Sequence, residues 1–141
     1  VSNYNQLKPY ISALSESGIR VSLFVDPEPT QIDAAMAIGA PVVELHTGSY
    51  CDIEGVARKH ELNRIIKTAQ HANIVGLECH AGHGLNFETV TPIAAIPNIV
   101  ELNIGHFLIG EAIFGGLDSA IKRMRVLMDQ ARTQNTGSMT T

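Results

Sequence analysis

Four short apolar runs alternate with stretches of helical period along this chain, and that alternation restricts the fold more than any other feature. The runs occupy residues 21–25, 42–46, 75–79 and 100–104, and each ends in a polar or glycine-rich turn. Before the first run, Leu7, Ile11 and Leu14 stand four and three residues apart, one helical stripe over 4–17 stopped by Gly18. Pro29-Thr30-Gln31 opens a second helix through Ile32, Ala35, Met36 and Ile38, stopped by Gly39. A longer helix is predicted over 54–72, with Val56, Leu62, Ile65, Ile66 and Ala69 turned inward. Asn86 is placed to cap a short helix holding Val90 and Ile93. A short apolar helix over 107–114 precedes a last helix carrying Ala120, Ile121, Met124, Leu127 and Met128. The polar stretch 133–141 is expected to fray as a disordered tail.

Strands that alternate with helices pair in parallel, because the crossover helix returns the chain to the same end of the sheet. Two architectures satisfy that rule, a doubly wound sheet and part of a (β/α)₈ TIM barrel. Polar residues inside the strands (Glu44, Glu78, Glu101, Asn103) favour the barrel, whose interior can face a polar site. So does the polar or glycine-rich loop after every strand. The last two such loops are followed by a short extra helix, a recurring phosphate-binding arrangement in barrels. A whole barrel needs roughly 200 residues or more. The 141 residues therefore read as the last four βα units, the C-terminal half of a barrel over 1–132 with four parallel strands and outer helices.

Charge and composition narrow the partners. Ten Lys+Arg against fourteen Asp+Glu leave a net charge of −4, without the basic patch a nucleic-acid site requires. No apolar run approaches the ~18 residues of a membrane span. No charged segment followed by an apolar one opens the chain, so no leader peptide is expected. Cys51 and Cys79 make no disulfide framework, and the cytoplasm is the simpler compartment. Both read as small apolar filler.

Chemistry concentrates in three places. In Ala81-Gly82-His83-Gly84-Leu85 an imidazole stands between two glycines, with backbone freedom and little cover. Such a ring can exchange a proton near neutral pH; the plain alternative is an exposed turn. In Asn103-Ile104-Gly105-His106 the backbone N–H groups of Gly105 and His106 start a helix and could hold a phosphate; the alternative is an ordinary strand-to-helix turn. The backbone, not the His106 imidazole, is assigned that work. Glu44 lies mid-strand, on the same face as Val42 and His46 by period two. A buried carboxylate is costly unless paired or functional, so Glu44 is either catalytic or matched to a cation from another strand. His46 lines the pocket or orients Glu44. Glu78, His80 and Glu101 read as structural interior groups. His46, His80, His83 and His106 come from adjacent strand ends, but no HExxH or cysteine pair accompanies them, and no metal is expected.

Several strings stand in an order and spacing similar to that of the pyridoxine 5′-phosphate synthase family. They are Val21-Ser22-Leu23-Phe24-Val25-Asp26, Glu44-Leu45-His46-Thr47-Gly48, the His83 loop, Ala94-Ala95-Ile96-Pro97 and Glu101-Leu102-Asn103-Ile104-Gly105-His106. The resemblance extends from the first residues to about Ala131. It implies a cytoplasmic enzyme of vitamin B6 biosynthesis that joins 3-amino-2-oxopropyl phosphate to 1-deoxy-D-xylulose 5-phosphate. The products are pyridoxine 5′-phosphate, phosphate and water. It further implies a TIM barrel assembled as an octamer, without redox cofactor or metal. By position, His83 matches the family's proton donor and Gly84 a contact to the amino-ketone phosphate. Gly105 and His106 match the backbone pair that holds its phosphate, and Glu44 a glutamate that stabilises a transition state. The family's other acid/base residues, a His and a Glu, belong to an N-terminal half without counterpart here, so this chain alone is expected to be inactive. A phosphate-binding half-barrel without catalysis, rebuilt to eight strands by dimerisation, is the alternative. A metal-dependent hydrolase on a similar barrel is the third reading.

Overall fold

The computed structural model describes residues 4–136. It is an α/β structure whose described elements run α1 (Tyr4–Glu16), β1 (Ser22–Val25), α2 (Pro29–Ile38), β2 (Val42–His46), α3 (Gly48–Asp52), α4 (Gly55–Ile74), β3 (Glu78–Gly82), α5 (Val90–Ala94), β4 (Ile99–Asn103), α6 (His106–Gly115) and α7 (Leu117–Thr136). The four strands form one parallel sheet in the order β1-β2-β3-β4, without a switch point. Among the described residues no helix is long and apolar enough to cross a membrane.

The strands sort their side chains by alternation. One layer across the sheet is Leu23, Val43, Cys79 and Ile99; the next is Val25, Leu45, Ala81 and Leu102. Both layers pack against Ile32 and Ala35 of α2, Ile65, Ala69 and Ala72 of α4, and Ile93 of α5. Ile32, Leu45, Ile65 and Ile99 are fully buried, and each such side chain contributes about 1.5–3 kcal/mol over an exposed one. Beyond this core, Leu102 and Ile104 also meet Val90, Ala94, Met124 and Ala131 on the α5–α7 side. The opposite face of the sheet carries Phe24, Glu44, His80 and Glu101 in register, then His46, Gly82 and Asn103.

Strand β4 reaches both sets through one irregularity. Cys79 pairs with Ile99 but His80 pairs with Glu101, so Val100 is an extra residue in the ladder. If Val100 took a regular place in the ladder, strict alternation would put Ile99 on the same face as Glu101 and Asn103. The bulge lets Ile99 enter the apolar core while Glu101 and Asn103 face away from it.

Three boundaries differ from expectation. The third strand begins at Glu78, not Val75, because the preceding helix takes the intervening residues for its own closure. Val75 N–H donates to His71 O at 3.0 Å, Gly76 N–H to Asn73 O at 3.2 Å and Leu77 N–H to Ala72 O at 2.9 Å, with Gly76 at φ +83°. Those last two bonds are the glycine-stop pattern of a helix C-terminus. The turn after the second strand is a helix, α3, which buries Tyr50; the Tyr50 hydroxyl donates to Thr89 O at 3.1 Å. The last helix extends through Thr136, past the start of the expected tail at 133; residues 137–141 of that tail lie outside the described residues.

Candidate active site

Glu44 stands in the middle of β2, on the face turned away from the helices, since Val43 and Leu45 on either side enter the helix-side core. Val42 and His46 share its face by alternation. The Asn103 side-chain amide donates to Glu44 Oε2 at 2.9 Å, bridging β2 and β4 across β3. Gly82 of β3 lies beneath that bridge. A Cβ added there would overlap Glu44 Oε1 and stand 2.8 Å from Asn103 O, so the absent side chain is what lets the carboxylate reach Asn103.

His83 follows at the end of β3. Its φ is +77°, and it is the only non-glycine with positive φ among the described residues. Such a backbone is uncommon outside glycine and is held by its surroundings. Thr47, completely buried, does part of this: its hydroxyl lies 2.7 Å from Gly82 O and 2.6 Å from His83 O, and its N–H donates to Gly82 O at 2.8 Å. The exposed imidazole stacks on His46 with ring centroids 4.7 Å apart and planes 25° apart. Phe24 meets the His46 ring edge-on at 5.1 Å.

The loop after β4 supplies the opposite wall. Gly105 caps α6, and Ile109 N–H donates to its carbonyl at 3.1 Å, which leaves the first N–H groups of the helix without intrahelical partners. A Cβ added at Gly105 would meet nothing within 4 Å, so its main chain is uncovered. An open cavity of about 800 Å³ lies between the walls, and all five expected residues, Glu44, His83, Gly84, Gly105 and His106, line it. Phe24, Asn103 and Phe107 line it too. Asn103 is a polar residue inside a strand, which was its only signal in the sequence; Phe24 reads there as ordinary strand apolarity.

The other polar strand residues form a separate chain. His80 Nε2 is 2.7 Å from Glu78 Oε1 and its Nδ1 3.5 Å from Glu101 Oε1, while Arg20 Nη2 is 2.5 Å from Glu78 Oε2. Hydrogen bonds from Arg20 first and His80 second hold the Glu78 carboxyl below its ordinary range. These residues do not line the cavity. Burial pushes the Cys79 thiol up to about 12 and raises that of Cys51. Among the described residues no group of three His, Cys, Asp or Glu side chains is arranged to hold a metal ion.

Comparison with known proteins adds a second line of observation. The pyridoxine 5′-phosphate synthase of Rhodospirillum rubrum is 64% identical over 126 residues, which is 89% of this chain and 51% of that protein. Those of Jannaschia sp. and Zymomonas mobilis are 57% identical over 132 residues and 56% identical over 131. These alignments cover 91% and 93% of this chain, and 53% and 51% of the respective relatives. The chain thus spans about half the length of the curated relatives it matches. A family model described as "Pyridoxal phosphate biosynthesis protein PdxJ" matches residues 1–130, nearly everything in the described fold, and the chain belongs to that family.

Proposed function

We propose that this chain is the C-terminal half of a (β/α)₈ barrel and carries the amino-ketone phosphate side of a pyridoxine 5′-phosphate synthase site. The completed enzyme condenses 3-amino-2-oxopropyl phosphate with 1-deoxy-D-xylulose 5-phosphate to pyridoxine 5′-phosphate, phosphate and water. It works in the cytoplasm as an octamer, as the family resemblance implies. One observation carries the reading: five residues, from β2 and from the loops after β3 and β4, converge on one cavity, in a chain 64% identical to an enzyme of that name. Four parallel strands in sequence order, with helices packed on one face, supply half of the barrel's repeat.

The roles follow from the chemistry available. The N–H groups of Gly84, Gly105 and His106 hold the phosphate, helped by the α6 dipole, worth ~0.3–1 kcal/mol for an exposed charge. His83 is the proton donor, because amine addition to a ketone, dehydration and ring closure each move protons. Glu44, oriented by Asn103, stabilises positive charge that develops in the transition state. Product formation by this chain joined to an N-terminal half tests the reading. His83→Asn should spare binding of 3-amino-2-oxopropyl phosphate and slow turnover, whereas Gly105→Val should weaken binding by covering the main chain. Full turnover in the first variant, or normal binding in the second, refutes the division of labour. Phosphate binding by the unmodified enzyme with no turnover supports the non-catalytic half-barrel instead.

A further inference from the structure

The backbone of His83 is left-handed, and two peptide planes set it: the one bearing the Gly82 carbonyl and the one bearing its own. Thr47 reaches both. Its hydroxyl oxygen lies 2.7 Å from Gly82 O and 2.6 Å from His83 O, sharing one proton between them, and its N–H donates to the Gly82 carbonyl as well, at 2.8 Å. Fixing the planes on either side of one Cα fixes its φ and ψ, which are the only soft backbone torsions there. Thr47 is fully buried, and its branched side chain has few rotamers, so the hydroxyl is itself held in place.

The neighbours of Thr47 complete the support. His46 stacks its ring on the His83 ring, and a Cβ at Gly48 would lie 2.5 Å from His46 Cε1 and 3.1 Å from His83 Cδ2. Both rings therefore pass over a bare Cα. Three consecutive residues of the β2–α3 corner hold the backbone, the ring and the free space around His83.

The geometry points to Thr47 as a positioning residue that holds His83 in the backbone conformation from which its ring enters the cavity. This assignment rests on the reading of His83 as proton donor; the backbone constraint itself does not. Two pairs of variants separate hydroxyl from packing. Thr47→Val keeps the branched shape and loses the donor, and Thr47→Ser keeps the donor and loses the methyl group.

In the completed enzyme, Thr47→Val should lower kcat about 10- to 100-fold, as a misplaced catalytic group does. KM for 3-amino-2-oxopropyl phosphate should rise less than kcat falls, by about threefold at most, since Gly105 and His106 lie on another loop and only the Gly84 N–H shares a peptide plane with the His83 carbonyl. Thr47→Ser should restore kcat. In a His83→Asn background, Thr47→Val should add little further loss, because its effect runs through the missing ring. A second readout needs no turnover. A left-handed residue gives a strong nuclear Overhauser cross-peak between its own amide and α protons; that of His83 should weaken in Thr47→Val and persist in Thr47→Ser. An undiminished cross-peak in Thr47→Val, equal kinetic losses in the Val and Ser variants, or full additivity with His83→Asn overturns the assignment. If Thr47→Val does not fold, Thr47→Ala against Thr47→Ser makes the same comparison, and identical behaviour of those two overturns it. Absence of all turnover in the unmodified enzyme refutes the proposed reaction, and the cross-peak then decides the positioning by itself.

Discussion

Gly82 offers the sharpest test of how the site is packed. Its backbone is not left-handed, so Gly82→Ala introduces no torsional strain; the cost is steric. The new methyl would overlap Glu44 Oε1 and stand 2.8 Å from Asn103 O and 3.0 Å from Asn103 Cβ. The Glu44 carboxylate can swing aside, but only by leaving the Asn103 amide, an exposed bond worth about 0.5–1.5 kcal/mol. The Asn103 backbone cannot swing, because Asn103 is the ladder partner of Gly82 itself, and β4 must move as a strand. Overpacking of this kind costs about 1–3 kcal/mol. With both terms, Gly82→Ala should destabilise by about 2 kcal/mol or slightly more. At a urea m-value near 2 kcal/mol/M, the unfolding midpoint falls by about 1 M. Gly110→Ala is the control: it lies inside α6 with nothing within 4 Å of the added carbon, and should stabilise by about 0.5–1 kcal/mol. A Gly82→Ala midpoint indistinguishable from the parent refutes the packing account of Glu44.

Other outcomes follow from burial and charge. With its thiol raised to about 12 and only 1% of its surface exposed, Cys79 should resist a thiol reagent at neutral pH in the native state. Cys51, also raised by burial, should react slowly, and both should react at once in denaturant. Because the folded Glu78 carboxyl is held below its unfolded value of about 4.3, the unfolded state binds more protons in the acid range. Its contribution is present above that value and disappears as pH falls through the lowered pKa; Glu78→Gln should flatten the acid limb of stability against pH, and an unchanged limb refutes the Arg20–Glu78–His80 pairing. Ile65→Ala, at a fully buried α4 position between helix and sheet, should cost about 2–5 kcal/mol by denaturant titration.

Much of the fold is legible in local pattern. The glycines after α1 and α2, the period-two alternation of β2 and the βα repeat all act through neighbours a few residues apart. Register is not local. Val75 is β-branched and apolar and reads as strand, yet closing α4 consumes it, because the Gly76 turn sets where the chain can leave the helix. Nor does the string Val100–Glu101 announce a bulge; that irregularity exists to reconcile the apolar Ile99 with the polar Glu101 across two faces of one sheet. At the site, His83 and Glu44 are visible because a carboxylate in a strand and an imidazole between glycines are costly or unusual on their own. Thr47 and Gly82 are not, since a threonine in a turn and a glycine in a strand acquire meaning only from residues distant in the chain, as in the Thr47–Gly82 hydrogen bond across 35 positions.

The extra residue in β4 also governs which changes of length this chain can absorb. Surface loops generally accept insertions and deletions, and a strand end tolerates a missing residue by shortening. Removal of Val100 is absorbed in a third way: Ile99 and Glu101 become neighbours, keep opposite faces and keep Cys79 and His80 as partners in a regular ladder. Removal of Leu102 instead turns either Glu101 or Asn103 onto the core face, and in the second case takes Asn103 away from Glu44. A single-residue gap is therefore neutral for the faces of β4 where it removes the bulged residue, and a change of which face the strand presents where it falls at Leu102.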